Sequence, residues 1–264
     1  MLKGILHVHS TWSDGEYSLP ELRQSLLRSG FDFACMTDHA QFFDAGRAGA
    51  YAAECQRLSD DRFLFISGLE YECQDRMHIL GLGVATLTDL TDPQGVIAHI
   101  ENLGGISIIA HPPDSAFARI ESFQRLPRGI EAWNTKSDGR YAPRPPTFEL
   151  IRRLRRRKGD LLAFYGVDLH FRAQFRGLRT EVDCSQLSPA SIISALDRGQ
   201  YLGVKDELRL PSDGVVNDTF LQRFQLVHHR SDRMRRLVKG TKSLMDRMGV
   251  AVPKALKRQL RRIF

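Results

Sequence analysis

Two histidines, His7 and His9, begin a polar stretch that continues Ser10-Thr11-Trp12-Ser13-Asp14-Gly15. They follow a short apolar run (Met1, Leu2, Ile5, Leu6) that reads as a first β-strand. Side chains alternate along a strand, so His7 and His9 leave its end pointing the same way. Parallel imidazoles form a chelating pair, and neutral imidazole is the commonest protein ligand for a transition metal. Asp14, beside a turn glycine, can swing its carboxylate back over the same mouth. Taken alone, the stretch also suits a partly buried strand with two incidental histidines, and the rest of the chain decides between the readings.

Residues of the same chemistry recur at the ends of later apolar runs. His39 closes Phe31–Thr37, Glu70 closes Arg62–Leu69, and His78 stands near the start of Met77–Gly83. His111 follows Gly105–Ala110, and Asp168 and His170 follow Leu161–Val167. The set is six histidines (His7, His9, His39, His78, His111, His170) and three carboxylates (Asp14, Glu70, Asp168). Buried without cations, it would leave carboxylates unpaired and imidazoles unsatisfied, which is costly. With two to three divalent metal ions it becomes an ordinary mixed N/O coordination shell. Such a shell suits Mn, Fe or Zn better than Mg or Ca, which prefer oxygen throughout.

The elements that position these residues alternate. Ser18 is a helix cap with Pro20 in the first turn, Leu22, Leu26 and Leu27 repeat at helical spacing, and Gly30 ends the run. Strand two is the segment 31–39, stopping in a polar cluster, then come a helix from about 44 to 58 and strands at 62–70 and 77–83. A helix over 94–103 leads to a strand at 105–110, and another strand follows at 129–134. The remaining units are a helix over 147–158, a strand over 161–168, a helix over 189–197 and a strand over 199–204. This alternation predicts an α/β fold with a largely parallel sheet covered by helices. Metal-type residues follow at least five strands and must converge on one axis, which favours a barrel with its site at the C-terminal strand ends over a doubly wound open sheet.

Composition allows one large α/β domain, or a domain with an appendage, in 264 residues. Residues 220–264 contain 13 Lys/Arg against Asp232 and Asp246, a balance of +11 that leaves −4 for residues 1–219 out of the total of +7. The expected organisation is therefore a near-neutral catalytic domain over 1–210 and a basic amphipathic helical extension over 211–264. No apolar run approaches the roughly 20 residues of a membrane span, and the N-terminus lacks a secretory pattern. The cysteines (Cys35, Cys55, Cys73, Cys184) form no CxxC pair, so neither a disulfide framework nor a zinc knuckle is indicated and a cytoplasmic location is expected.

In order over roughly residues 4–205, the chain carries His-x-His-Ser, Ser-Asp-Gly, Thr-Asp-His, Gly-x-Glu, His-x-Leu-Gly, Ala-His-Pro and Gly-x-Asp-x-His. This series resembles the PHP (polymerase and histidinol phosphatase) family. The resemblance implies a distorted seven-stranded (β/α)7 barrel, here with a C-terminal helical extension, and a trinuclear metal site. It implies that His7 and His9 join Glu70 and Asp168 on the first metal, and that Asp14, His39 and His170 hold the second. Glu70 would bridge to a third ion shared with His78 and His111. Some relatives carry histidine where this chain has Asp14, and a carboxylate there weakens the preference for zinc.

The implied chemistry is metal-dependent hydrolysis of a phosphoric ester. A bridging water becomes hydroxide, held through His7, His9, Asp14, His39, Glu70, Asp168 and His170, and the ions hold phosphoryl oxygens for in-line attack. No Gly-rich phosphate cradle or GxSxG elbow offers another route. Lys136, Arg140, Arg144, Arg172 and Arg176 are candidate grips for a second phosphate or a nucleotide, set against solvated surface positions. His99 reads as surface or packing, and the basic run Arg152–Lys158 as a solvated helix face.

The expected substrate is a small phosphomonoester such as a nucleotide or sugar phosphate. One rival is a PHP-type exonuclease or phosphodiesterase on oligonucleotides, with residues 220–264 binding the backbone. Another is a metal-binding barrel whose basic tail recruits a partner or an anionic membrane surface, against which the intact ligand set argues. The tail helices have a plainer use, packing across the barrel's N-terminal face or against a second subunit.

Overall fold

Short apolar runs form the strands, and side-chain caps fix where the helices between them begin. The computed structural model describes residues 1–175, 177–230 and 233. The first half contains β1 (Leu2–Val8), α1 (Leu19–Arg28), β2 (Phe33–Met36), β3 (Asp38–His39), α2 (Ala45–Arg57), β4 (Leu64–Ile66), β5 (Gly68–Glu72), β6 (His78–Leu82), α3 (Pro93–Asn102) and β7 (Ile106–Ala110). The second half contains α4 (Phe117–Ser122), β8 (Gly129–Asn134), α5 (Pro145–Leu154), β9 (Leu162–Gly166), β10 (Arg179–Val182), α6 (Pro189–Asp197), β11 (Tyr201–Lys205) and β12 (Leu208–Pro211). A last helix, α7, covers 218–230.

The α1 cap is the Ser18 that the sequence indicates, and three further caps open later helices. The Glu21 carboxylate accepts from the Ser18 N–H and hydroxyl at 2.9 and 2.8 Å. Asp44, Asp92 and Ser188 each accept a backbone N–H three residues on, opening α2, α3 and α6. Each such cap contributes about 1 kcal/mol. The helices bury one face: Leu22 and Leu26 from α1, Val96, Ile97 and Ile100 from α3, and Phe148, Leu150, Ile151 and Leu154 from α5. Burying a side chain of this size stabilises by about 1.5–3 kcal/mol.

The strands form two six-stranded sheets, β12-β11-β10-β1-β2-β4 and β3-β5-β6-β7-β8-β9. The expectation of a largely parallel sheet is corrected: five strand pairs are parallel and five antiparallel. For two of the five antiparallel pairs the physical reason is connection length. Residues 73–77 between β5 and β6, and 206–207 between β11 and β12, are too short for a parallel crossover. The run expected as one strand over 62–70 also divides at Ser67, with β4 in one sheet and β5 in the other.

Two joints bring the sheets together at their site-bearing ends. Beyond β9 the chain runs beside β1, with Val167 and Leu169 N–H groups donating to Leu6 and His7 carbonyls and His9 N–H donating to the Leu169 carbonyl. Beyond β2, the Thr37 N–H donates to the Val8 carbonyl at 2.9 Å, and the chain enters β3 of the other sheet.

The described start of the extension packs beside the loop after β8, not across the opposite face. Phe224 is buried with its ring 6.2 Å from that of Phe148, and His228 Nε2 donates to the Ala142 and Pro143 carbonyls. The basic amphipathic segments expected beyond residue 233 lie outside the described residues, as does Arg176. The run Arg152–Lys158 is not a simple solvated face, because Arg157 and Lys158 donate to carbonyls of Glu121, Phe123, Leu126 and Pro127. Among the described residues no helix is long and apolar enough to cross a membrane.

Candidate metal centre

His7 is the last but one residue of β1, and there the strand does not simply alternate. The pairing with β2 shifts register between Leu6 and Val8, and His7 takes a left-handed φ of 62°. The resulting kink re-aims the side chain, as bulges do beside functional sites. The His7 and His9 rings end 5.2 Å apart, so the expected pairing of the two imidazoles holds although its backbone cause is a bulge. His111 and Asp168 also have positive φ, 28° and 54°. Non-glycine residues in that region are strained, and such strain clusters where a site requires it.

The loop from Ser10 to Gly15 is held by a residue to which sequence reasoning gave no role. Asp38 is fully buried and accepts from the Ser10 and Ser13 N–H groups and from both serine hydroxyls at 2.7–3.1 Å. Burial pushes its carboxyl above the usual aspartate range, and the serine donors oppose that. Gly15 lets the loop fold back, since a Cβ there would meet the His9 carbonyl oxygen at 2.5 Å. Asp14 Oδ1 thereby comes within 3.3 Å of His170 Nε2, 3.8 Å of His9 Nδ1 and 3.9 Å of His39 Nε2.

Glu70 is the hub. Its side chain is 1% exposed. Oε2 lies 3.4 Å from His7 Nε2, 3.2 Å from His9 Nε2 and 3.3 Å from His39 Nδ1. Oε1 lies 2.7 Å from His78 Nδ1 and 3.2 Å from His111 Nε2. Asp168 Oδ1 in turn stands 3.7 Å from His7 Nε2, 3.6 Å from His9 Nε2 and 3.0 Å from His170 Nδ1. All nine residues expected from sequence are thus brought to one place. They fall into four overlapping groups whose ligand atoms lie within 4.8 Å of one another: His9-Asp14-His39-His170, His7-His9-Asp168, His7-Glu70-His111 and His39-Glu70-His78.

Electrostatics tests whether the set suits a cation. Burial alone would lower the His7 and His111 pKa values, but Glu131, Asp168 and Glu70 around them raise both above the imidazole range. Burial would raise Glu70 and Asp168, but the surrounding imidazoles, with Lys136 beside Asp168, hold both below the usual carboxylate range. His9 is different: burial pushes it down to about 3, so it is neutral at pH 7. Both of its ring nitrogens are buried without a hydrogen-bond partner, as is His39 Nδ1. His9 Nε2 is near Glu70 Oε2, yet too misaligned for a hydrogen bond. Buried neutral imidazole nitrogens left unpartnered among carboxylates are the donor set a divalent ion takes.

Glu131 was also missed. It sits in β8, is 2% exposed, and accepts from His7 Nδ1 at 2.9 Å, from the His111 N–H at 2.8 Å and from Asn134 Nδ2 at 2.9 Å. Glu131 thereby holds the His7 Nδ1–H, so that when the ring is neutral its lone pair lies on Nε2, toward Glu70 and Asp168. The available signal was an acid inside the otherwise apolar strand Gly129-Ile130-Glu131-Ala132-Trp133.

Of the cations proposed to grip substrate, only Lys136 contacts the cluster among the described residues, with Nζ 3.0 Å from Asp168 Oδ1. Arg172 is held by Glu21 at 2.5 Å and lies over the Tyr17 ring. Arg144 pairs with Asp114 and approaches Asp138 at 3.7 Å, and Arg140 lies over the Tyr141 ring. His99, expected at the surface or in packing, lies 3.2 Å from the Thr86 carbonyl.

Residues 6–128 match the model of the PHP domain. Over 79 residues the chain is 33% identical to the DNA polymerase/3′-5′ exonuclease PolX of Bacillus subtilis, a match spanning 27% of this chain and 14% of that protein. A two-domain protein of Bacteroides vulgatus, described as containing a predicted PHP-like metal-dependent phosphoesterase, superposes with a TM-score of 0.57 at 17% identity, over 84% of this chain and 68% of that one. An amidohydrolase from Chromobacterium violaceum, solved with bound sulfate and no metal, gives 0.51 at 17% identity, over 76% and 97%. At that identity the two structures speak for the fold alone.

Proposed function

This chain is a member of the PHP family through residues 6–128, and from that premise we propose that it is a metal-dependent hydrolase of phosphoric esters. Its substrate is a small phosphomonoester such as a nucleotide or sugar phosphate. The observation that carries the reading is the Glu70 carboxylate, buried and facing five imidazoles of which His9 has no hydrogen-bond partner.

His7, His9, Glu70 and Asp168 would hold one ion, Asp14, His39 and His170 a second, and Glu70 with His78 and His111 a third. Two to three divalent ions so held, Mn, Fe or Zn, would supply a nucleophile at neutral pH and neutralise charge on the phosphoryl oxygens. The protein's own task is to present lone pairs in fixed directions. Glu131 fixes the His7 tautomer, Asn134 Nδ2 donates to Asp168 Oδ2 at 3.2 Å, and Asp38 anchors the loop that carries Asp14. The two sheets fit a distorted (β/α)7 barrel, supported by the backbone bonds from residues 167–169 to β1 and from Thr37 to Val8. The extension over 211–264 is then an appendage to a domain ending near residue 210. Free cysteines, three of them buried, suit the cytoplasm.

A second reading, exonuclease or phosphodiesterase action on oligonucleotides, is supported by the partial likeness to the Bacillus subtilis PolX protein. One experiment tests both: elemental analysis of the purified protein, with hydrolysis of a mononucleotide and of an oligonucleotide measured with and without Mn²⁺. The expected result is bound metal and ion-dependent release of inorganic phosphate from the mononucleotide, lost in His39→Ala and Asp168→Ala. Release of nucleotides from the oligonucleotide alone selects the second reading, and no ion-dependent hydrolysis of either ester refutes both.

A further inference from the structure

Lys136 stands where no ligand motif places a residue. It follows β8, and its position is built by an Asn134 turn: Asn134 Oδ1 accepts from the Lys136 and Ser137 N–H groups at 3.0 and 2.9 Å. From there the side chain reaches into the cluster, with Nζ 3.0 Å from Asp168 Oδ1, 3.2 Å from His170 Nδ1 and 3.4 Å from His170 Nε2. The side chain is 36% exposed while Asp168 and His170 are 3% and 4% exposed, so the ammonium lies on the solvent side of the cluster. That is the side from which a substrate must approach.

An ammonium carries three donors and accepts nothing, so it needs acceptors within reach. Here its partners are side chains proposed to bind ions. Once Asp168 and His170 serve as ligands, their lone pairs are committed and a neighbouring divalent charge repels the ammonium. The Nζ donors then need a different anion at the same mouth. The arginines near the cluster already have carboxylate or aromatic partners of their own.

We infer that Lys136 is the cation of this site that binds the substrate's phosphoryl group directly, turning from Asp168 and His170 to a non-bridging oxygen when the ligand set is engaged. The inference rests on the phosphoesterase reading. A compact ammonium on a flexible stem suits a group that changes partners, as a rigid guanidinium fork does not. Its two states make opposite demands. Without ions Lys136 stabilises Asp168, and with ions it is available to phosphate.

The test uses the full chain loaded with Mn²⁺ and inorganic phosphate as the probe, with affinity read by calorimetry and metal content by elemental analysis. Lys136→Met should weaken phosphate binding about 10- to 100-fold, the worth of one hydrogen bond between charged groups. Metals per chain should be unchanged, and melting in EDTA should occur at a lower temperature than in the wild type because Asp168 loses its partner. Lys136→Arg, which keeps the charge, should recover part of the phosphate affinity. Unchanged phosphate affinity in Lys136→Met overturns the inference. Loss of metals from that variant overturns it too, because removing a like charge cannot weaken cation binding unless Lys136 only holds the ligands in place. A wild-type protein that loads ions but binds no phosphate and cleaves no ester fails at the earlier step, and the phosphoesterase reading falls with it.

Discussion

Glu131→Gln changes one atom of a side chain that touches no substrate, and the geometry around it says why that change should be costly. Three donors converge on the carboxylate: His7 Nδ1 on Oε1, and the His111 N–H and Asn134 Nδ2 on Oε2. A glutamine amide offers one oxygen and one NH₂. Placed at the Oε2 position, the NH₂ would face a backbone N–H that cannot change its role. Asn134 cannot turn over to help, because its Oδ1 already accepts from Lys136 and Ser137. The NH₂ must therefore face His7. His7 can satisfy it only by moving its proton from Nδ1 to Nε2, the nitrogen that lies 3.4 Å from Glu70 and points into the ligand cluster.

To bind an ion His7 must move the proton back and set N–H against N–H. The penalty is a lost hydrogen bond to a charged group, about 1.5–3 kcal/mol, or roughly 10- to 150-fold in affinity. That range agrees with the about 10- to 100-fold found when partners of metal-bound histidines are removed. Volume is unchanged, so the fold should survive, which circular dichroism and thermal melting would check. The assay is calorimetric titration of the metal-free protein with Mn²⁺. A Glu131→Gln protein that binds Mn²⁺ as tightly as the wild type would refute the tautomer argument and reduce Glu131 to a packing residue.

Three further outcomes follow from the same geometry. Gly166→Ala would place a methyl 1.8 Å from Glu131 Oε1 and 2.9 Å from His7 Cβ; urea unfolding should show a loss of about 1–3 kcal/mol, with weaker metal binding because both groups must move. Asp38→Ala leaves the Ser10 and Ser13 N–H groups without their acceptor at a fully buried site. It should lose about 1–3 kcal/mol and loosen the Asp14 loop, seen as faster amide exchange at residues 10–15. Metal binding should release protons, because the carboxylates raise His7 and His111 above the usual imidazole pKa and an ion needs both rings neutral. Affinity should therefore rise with pH and fall as pH drops through the raised values; calorimetry in buffers of different ionisation enthalpy should show about one to two protons released, and none would refute the assignment.

How much of this was legible in the sequence depended on whether a residue's role is local. Helix starts were legible because Ser18, Asp44, Asp92 and Ser188 do their capping within three residues of themselves. The clustered residues were legible because seven of the nine follow apolar runs, with His78 near the start of one and Asp14 in the loop after the first. Strand direction was not: Cys73–Met77 reads as polar loop whether or not the chain reverses there, and β6 and β7 pair antiparallel although α3 lies between them. Nor were β10 and β12: Arg179-Thr180-Glu181-Val182 is mostly polar, Leu208-Arg209-Leu210-Pro211 is short and ends in proline, and their pairing with β1 and β11 is a tertiary fact. The acids beside Arg144 and Arg172 were not legible either, because they are distant in sequence: for Arg172 the partner is Glu21, 151 residues away.

The missed acids obey the rule that found the ligands, applied one layer further out. Glu70, Glu131 and Asp168 put three carboxylates, each at most 3% exposed, around His7, against one ammonium from Lys136. Burial on that scale is tolerable only if positive charge is supplied from elsewhere. Protons on His7 and His111 can supply some of it, which is why the carboxylates raise those two rings. With Lys136 they match the three carboxylates in number, but they leave His9, too thoroughly desolvated to take a proton, with two unpartnered nitrogens. A divalent ion would replace the protons on His7 and His111 beside Glu70 and Asp168 and would use the His9 lone pair that they leave unbonded. An acid in an apolar strand, such as Glu131 in β8, should therefore be read as a partner of whatever buried donors the fold brings to it. Here those donors are the ring of one ligand and the backbone of another.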